Sequence, residues 1–148
     1  MITLFLGGLD ATARCWDSRD GKQVHSFSFP TQVFSLCISP TSDYIVVGLE
    51  NKTIELCYSK ESGQRFGERH VFKVHDSCVL TVKISNSGKW LISSSKDNYT
   101  NCVRIPQGIP LFLTRENASI LCTDISPDDK YIITGGGEKK ATIYECVY

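Results

Sequence analysis

A similar run of residues occurs three times in this chain of 148 residues, at 33–40, 79–86 and 120–127. Each run opens with a β-branched residue and a bulky apolar residue, continues as an alternating strand pattern and ends at a turn. Alternation of this kind predicts β-strands, and nothing in the chain sustains a helical period. Because the repeat length is about 40 to 45 residues and includes several short strands, it predicts a series of similar small sheets.

A second pattern follows each run and supports this interpretation. A small residue precedes an acidic residue by two positions, and a bulky apolar residue stands six positions after the acid. We expect the small residue and the acid to form a tight turn whose carboxylate accepts nearby hydrogens, and the apolar residue to pack between sheets. The four occurrences are Gly8, Asp10 and Trp16; Gly48, Glu50 and Leu56; Ser95, Asp97 and Val103; and Gly136, Glu138 and Tyr144.

Two further features are typical of the WD repeat. The dipeptide Trp16-Asp17 is the one that gives this repeat its name. His75 stands four residues before Val79, where such repeats carry a Gly-His dipeptide, and we expect it to bridge to Asp97. Structural roles in the turns, and no catalytic role, are therefore predicted for Asp10, His75, Asp97 and Glu138.

Together these patterns predict an all-β fold. It is a partial WD-repeat β-propeller of about three and a half four-stranded blades, whose ring is not closed. We expect the first blade to lack its innermost strand and the last blade its outermost strand. The chain is then the C-terminal part of a longer propeller, or a homologous chain completes its ring. The predicted blades span approximately 1–29, 32–72, 78–114 and 119–148.

Several short segments resemble the C-terminal WD-repeat domain of the Groucho/TLE transcriptional corepressors. The resemblance extends over nearly the whole chain and fits poorly only at 59–74. These segments are far more specific than the spacing of WD repeats. They are Gly7-Gly8-Leu9-Asp10, Asp76-Ser77-Cys78-Val79-Leu80, Gly88-Lys89-Trp90, Lys96-Asp97-Asn98, Asp128-Asp129-Lys130-Tyr131-Ile132 and the C-terminal stretch from Lys139 to Tyr148.

The resemblance implies a transcriptional corepressor module in the nucleus. DNA-bound transcription factors recruit such proteins through short peptides, such as WRPW tails or engrailed-type helices, which lie across the mouth of the propeller channel. The matching positions here are Phe34, Leu80 and Leu121. The repeat selects the same three, because each directly follows the β-branched residue that opens an innermost strand. Three alternatives stay open: these residues are ordinary core, the chain is a generic WD-repeat interaction scaffold, or it is a non-functional truncated copy.

Composition and motifs argue against other classes of function. Sixteen basic and sixteen acidic residues cancel, so we expect no direct contact with nucleic acid. No apolar run has the roughly 18 residues that a membrane span needs. Because no catalytic, nucleotide-binding or metal-binding motif occurs, we predict no enzyme, no cofactor and no metal site. The seven cysteines lie in strand-like runs, and we expect them to be buried, reduced thiols.

Overall fold

The computed structural model describes residues 3–147 as fourteen strands in four antiparallel sheets, with no helix among those residues. Met1, Ile2 and Tyr148 lie outside the described residues, and with them the outer bounds of the first and last predicted blades at residues 1 and 148. The predicted all-β class and the open, partial propeller are confirmed. The described range also contains no helix that could cross a membrane.

Every sheet is a meander, because strands that are consecutive in the chain pair with one another. Sheet 1 contains β1 (Thr3–Gly7), β2 (Thr12–Asp17) and β3 (Lys22–Ser28). Sheet 2 contains β4 (Val33–Ile38), β5 (Tyr44–Leu49), β6 (Ile54–Tyr58) and β7 (Arg69–Phe72). Sheet 3 contains β8 (Val79–Ile84), β9 (Trp90–Ser95), β10 (Tyr99–Arg104) and β11 (Ile109–Arg115). Sheet 4 contains β12 (Ile120–Ile125), β13 (Tyr131–Gly136) and β14 (Ala141–Glu145).

Strands β4, β8 and β12 are the innermost strands of their sheets, because β4 contacts β8 and β8 contacts β12. Strand β1 also contacts β4, but it pairs only with β2. Within the described residues, sheet 1 therefore has no strand at the innermost position, while sheet 4 runs outward from β12 and stops at β14. The four sheets stand in a row, as the blades of a propeller do.

The hydrophobic core consists of three clusters, one between each pair of neighbouring sheets. Phe27 of sheet 1 packs with Ile45 of sheet 2, and Leu56 of sheet 2 packs with Leu91 of sheet 3. The third cluster joins sheets 3 and 4 through Trp90, Ile92, Cys102 and Ile132. Because sheets 2 and 3 bury apolar side chains on both faces, the stability of the fold depends on contacts between neighbouring sheets.

Two glycines at the same position of neighbouring sheets bring the sheets close together. A Cβ atom on Gly7 would lie 2.6 Å from Val33 Cγ1, and one on Gly48 would lie 2.8 Å from Val79 Cγ1. In both cases the valine opens the innermost strand of the next sheet. A glycine is therefore required at these two positions by packing against the following blade.

We expect Gly48→Ala to destabilise the fold by about 1–3 kcal/mol, because its new methyl group overpacks a buried contact. Chemical denaturation monitored by circular dichroism measures this loss. The clash is with Val79, so Val79→Ala in the Gly48→Ala background should cost less than Val79→Ala costs in the wild type. If the loss of stability in the double variant equalled the sum of the losses in the two single variants, the contact with Val79 would not be the reason that glycine is required.

The structure corrects the predicted turn pattern in sheet 2 by one residue. Gly48 pairs with Ile54 across its hairpin, as Gly7, Ser94 and Gly135 pair with Ala13, Thr100 and Ala141 in the other sheets. The turn residue equivalent to Asp97 is therefore Asn51 and not Glu50. Asn51 Oδ1 accepts a hydrogen bond from the Thr53 backbone, as a turn carboxylate does. A sequence pattern restricted to acidic residues excludes Asn51, although the amide oxygen of asparagine forms the same turn as a carboxylate oxygen.

The prediction that all cysteines are buried is wrong for Cys122, which is exposed. All seven cysteines are free thiols; Cys15, Cys57 and Cys102 are buried, and the remaining three are half-buried. Burial raises the pKa of Cys37 and of Cys102 to about 12. These two thiols therefore stay protonated at neutral pH and are poor nucleophiles. No group of three or more possible metal ligands occurs among the residues the structure describes.

Candidate functional site

Phe34, Leu80 and Leu121 occupy the same structural position, a β-bulge at the start of an innermost strand. In sheet 2, Val33 pairs with Leu49 and Ser35 with Gly48, so Phe34 has no partner across the ladder. The register shifts at the same point around Leu80 in β8 and around Leu121 in β12. A bulge adds one residue to a strand and redirects its side chain. The three predicted residues are therefore equivalent in geometry as well as in sequence.

The bulge separates a buried residue from one that projects out of the core. Val79 and Ile120, which open β8 and β12, are completely buried. Of the residues that follow, Leu121 is 59% exposed, Phe34 is 37% exposed, and Leu80 is half-buried. Since the innermost strands lie side by side, the three bulges occur at the same position of neighbouring strands. Exposed apolar side chains in one repeated position can bind an apolar peptide.

Side-chain hydrogen bonds fix the innermost strands directly beyond these bulges. The Val82 backbone N–H donates to Ser35 Oγ over 2.9 Å, which joins β8 to β4. The hydroxyls of Thr81 and Thr123 lie 2.6 Å apart, which joins β8 to β12. Both contacts are buried or partly buried, so they are shielded from competing water. Hydrogen bonds between neighbouring innermost strands therefore hold the three bulges at a fixed spacing.

His75 and Asp97 form a buried network that holds the segment before β8. His75 Nδ1 lies 3.0 Å from Asp97 Oδ2, and His75 Nε2 lies 2.8 Å from Ser93 Oγ. The backbone N–H groups of Asp76 and Tyr99 each donate to the Asp97 carboxylate over 2.9 Å. The network ties the chain that leads into β8 to the β9–β10 turn. It therefore positions the strand that carries the bulge.

The ionisation of Asp97 is coupled to this network. Burial of the carboxyl raises its pKa, but hydrogen bonds from the backbone of Asp76 and Tyr99 and the nearby His75 ring lower it more. The pKa of Asp97 therefore lies below its ordinary value of 3.8. The carboxylate is charged at neutral pH and accepts hydrogen bonds from the backbone N–H groups of Asp76 and Tyr99.

Asp10 and Glu138 occupy the equivalent turns of sheets 1 and 4, but their partners differ. Asp10 accepts hydrogen bonds from the Thr12 hydroxyl over 2.8 Å and from Arg14 over 2.9 Å. Glu138 is half-buried and forms an ion pair with the exposed Lys140 at 3.0 Å. Hydrogen bonds lower the pKa of both carboxyls, mainly from Thr12 and from Lys140. Of the four predicted turn residues, the structure brings together only His75 and Asp97.

The sequence patterns did not identify a role for Asp129, which joins sheets 3 and 4 at the end of the strands away from the bulges. Its carboxylate accepts hydrogen bonds from the backbone N–H of Asn86 over 2.8 Å and of Ser87 over 2.9 Å. The hydrogen bonds from these backbone and side-chain groups lower the pKa of Asp129 against the effect of burial, which raises it. The sequence signal that points to Asp129 is the segment Asp128-Asp129-Lys130-Tyr131-Ile132, which carries part of the family resemblance.

A groove of about 1270 Å³ lies away from the three bulges, between the outer strands of sheet 3 and strand β14. Trp90, Phe112 and Tyr144 line it, and none of the three bulge residues does. Phe34 and Leu121 are exposed and Leu80 is half-buried, which suits contact with a peptide on the surface better than enclosure of a small molecule in a cavity.

Comparison with known proteins gives two kinds of match. The model of the WD domain, G-beta repeat, matches residues 21–56, 67–102 and 110–145. The chain is 43% identical over 145 residues to Protein groucho of Drosophila melanogaster, and equally identical over 145 residues to Transducin-like enhancer protein 2 of Mus musculus. Each alignment covers 98% of this chain but only 19% and 18% of these relatives, respectively. The resemblance to the Groucho/TLE proteins is confirmed.

Proposed function

This chain belongs to the WD-repeat family. From its similarity to Protein groucho and Transducin-like enhancer protein 2, we propose that it is a transcriptional corepressor module that binds short peptides of DNA-bound repressors. The peptides carry WRPW-type or engrailed-type motifs and lie across the mouth of the propeller channel. The module acts in the nucleus and contacts DNA only through these transcription factors. This function rests on the similarity to Protein groucho and Transducin-like enhancer protein 2 together with the geometry of the three bulges.

The observation that supports the proposal most strongly is the repeated bulge. A residue that only filled the core would not need an extra position in the strand, since Val33, Val79 and Ile120 already supply the buried side chain. The bulge instead leaves an apolar side chain partly exposed, which costs free energy unless a ligand covers it. Three such side chains at equivalent positions form an anchor site for an aromatic or leucine-rich peptide.

A binding titration tests this function. We expect a fluorescently labelled peptide that ends in Trp-Arg-Pro-Trp to bind the full chain in an anisotropy titration, and an engrailed-type peptide to displace it because the two share one site. A peptide of the same composition in scrambled order is the control and should not bind. If neither motif binds above the scrambled peptide, the proposed function is wrong.

A generic interaction scaffold is the second candidate function, and strand β11 favours it. This outer strand carries four exposed apolar side chains, at Ile109, Leu111, Phe112 and Leu113. A pull-down from nuclear extract with Leu121→Asp and with Leu113→Asp separates the candidates. Loss of partners only with Leu121→Asp supports the peptide module, whereas loss only with Leu113→Asp supports a scaffold that binds through its outer strands.

A further inference from the structure

One position beside the bulges is occupied by a different type of residue in each of sheets 2, 3 and 4. It is the residue that directly follows the second strand of the sheet, and it is here named the rim position. The backbone N–H of the rim residue donates a hydrogen bond to the carbonyl two residues before the bulge residue. These bonds run from Glu50 to Gln32 over 3.1 Å, from Lys96 to Cys78 over 3.3 Å and from Gly137 to Ser119 over 3.0 Å. A hydrogen bond therefore fixes the backbone of each rim residue next to the strand that carries the bulge.

The rim position carries opposite charges in sheets 2 and 3. Glu50 and Lys96 are both exposed, whereas the equivalent Gly137 of sheet 4 has no side chain. Sheet 2 packs against sheets 1 and 3, and sheet 3 packs against sheets 2 and 4. Each of the two charged residues therefore stays exposed although its sheet has a neighbour on either side. The bulge of Phe34 is flanked by a carboxylate, and the bulge of Leu80 is flanked by an ammonium group.

These two charges are not neutralised by the part of the chain that the structure describes. Among residues 3–147, neither the Glu50 carboxylate nor the Lys96 ammonium group forms an ion pair or a side-chain hydrogen bond. By contrast, Asp10, Asp97 and Glu138 each face a basic side chain at 3.0 Å or less. A ligand can therefore pair with both rim charges without breaking a contact inside the protein.

We infer that Glu50 and Lys96 determine the direction in which a peptide lies across the bulges, with a basic side chain of the peptide at Glu50 and a following carboxylate at Lys96. The inference rests on the proposed function, because the bulge residues supply the apolar anchor site. A peptide that ends in Trp-Arg-Pro-Trp has both charged groups, since its guanidinium lies on the second residue of the motif and its terminal carboxylate lies two residues later. Arginine pairs with a carboxylate through two parallel hydrogen bonds, and lysine binds a carboxylate as a point charge.

The dimensions of the site and of the peptide agree with this direction. The innermost strands β4 and β8 contain Cα atoms within 8 Å of each other. Two residues of extended peptide span about 7 Å, so one short peptide extends from the bulge of Phe34 to the bulge of Leu80. The opposite direction would place the peptide carboxylate near Glu50 and the guanidinium near Lys96. Like charges would then meet at both ends, which disfavours that direction.

Anisotropy titrations of the full chain with peptides of altered charge test the inference. Glu50→Lys should weaken binding of a peptide that ends in Trp-Arg-Pro-Trp by roughly 5-fold or more, because a repulsion replaces an attraction. A peptide that ends in Trp-Glu-Pro-Trp should show the reverse, with tighter binding to Glu50→Lys than to the wild type. This exchange of preference separates a direct contact with the peptide from a structural role of Glu50.

The terminal carboxylate is tested in the same way through Lys96. Lys96→Glu should weaken binding of the Trp-Arg-Pro-Trp peptide with a free carboxylate by roughly 5-fold or more. The loss should be much smaller for the same peptide with a C-terminal amide, which carries no charge for residue 96 to repel. Lys89→Glu is the matched control, since Lys89 is an exposed lysine that precedes β9 whereas Lys96 follows β9. We expect Lys89→Glu to bind both peptides as the wild type does.

The outcomes distinguish this inference from the proposed function. If the wild type binds the peptide but Glu50→Lys and Lys96→Glu change the affinity for all peptides equally, or not at all, the inference is overturned and the proposed function stands. An equal loss in Lys89→Glu would show an effect of overall charge and overturn the inference as well. If the wild type binds no peptide, both are wrong. Circular dichroism verifies folding, and Glu50→Gln and Lys96→Gln replace any variant that is unfolded.

Discussion

Leu121→Asp is expected to weaken binding of a WRPW-type peptide by roughly 30-fold or more, since loss of an interface anchor typically costs about 2 kcal/mol or more. Leu121 is the most exposed of the three bulge residues and makes the smallest contribution to the core. A charge at this position must be desolvated when the apolar peptide covers it. Anisotropy titration of the variant, compared with the wild type, measures the loss.

The same substitution should leave the fold intact. A polar residue at a site that is 59% exposed changes the free energy of unfolding by about 0.5 kcal/mol or less. Leu113→Asp is the matched control, because it introduces the same charge at an exposed leucine of β11. We expect Leu113→Asp to bind peptide as the wild type does. Unchanged affinity in Leu121→Asp, or equal losses in the two variants, would remove the bulge residues from the proposed site.

Asp97→Ala is expected to destabilise the protein by about 3 kcal/mol, the largest effect on stability that we expect from any single turn residue. The substitution leaves the His75 ring and the backbone N–H groups of Asp76 and Tyr99 without their acceptor. The His75 ring is buried, and a buried donor without an acceptor costs about 1–3 kcal/mol. The Tyr99 N–H is partly buried and adds to this loss, whereas water can replace the acceptor of the exposed Asp76 N–H. Urea denaturation of the variant and the wild type measures the difference.

Glu138→Ala is the control for Asp97→Ala, since it removes an acid from the equivalent turn of sheet 4. The half-buried Glu138 carboxylate is paired with the exposed Lys140, and an ion pair that water reaches contributes about 0–1 kcal/mol. We expect a change of that size at most. If both variants lost the same stability, the buried network around His75 would not be the reason for the effect.

The lowered pKa of Asp97 also predicts how stability depends on pH. Because the folded pKa lies below the ordinary value of 3.8, the stabilisation is fully present above that value and is lost as pH falls through the folded pKa. Asp97→Ala should therefore show a shallower loss of stability than the wild type below about pH 4. Identical slopes in the two proteins would contradict the assigned charge state.

Much of the fold could be predicted from sequence because short β-branched and apolar runs recur along the chain and turn residues separate them. The equivalence of Phe34, Leu80 and Leu121 followed from their repeated position after a β-branched residue. The bulge could not be predicted, since an apolar run reads the same with or without an extra residue in the ladder. It is the bulge that turns three residues expected near a channel into partly exposed side chains.

The errors in the sequence analysis have physical causes. The turn of sheet 2 uses Asn51 and not the acidic Glu50, because it needs only a side-chain oxygen followed by a residue with positive φ, here Lys52. Cys122 was expected to be buried because its run matches that of a core strand. In sheet 4 no further sheet covers that face in the described structure, so the thiol is exposed.

The central claim is that the three bulge residues together form the peptide site, and paramagnetic broadening of methyl signals tests it most directly. A WRPW-type peptide with a nitroxide label beside the motif is added to protein with labelled leucine methyl groups. We predict that the signals of Leu80 and Leu121 broaden while those of Leu4 and Leu113 stay sharp. Broadening of Leu113 or Leu4 with sharp signals from Leu80 and Leu121 would contradict the claim.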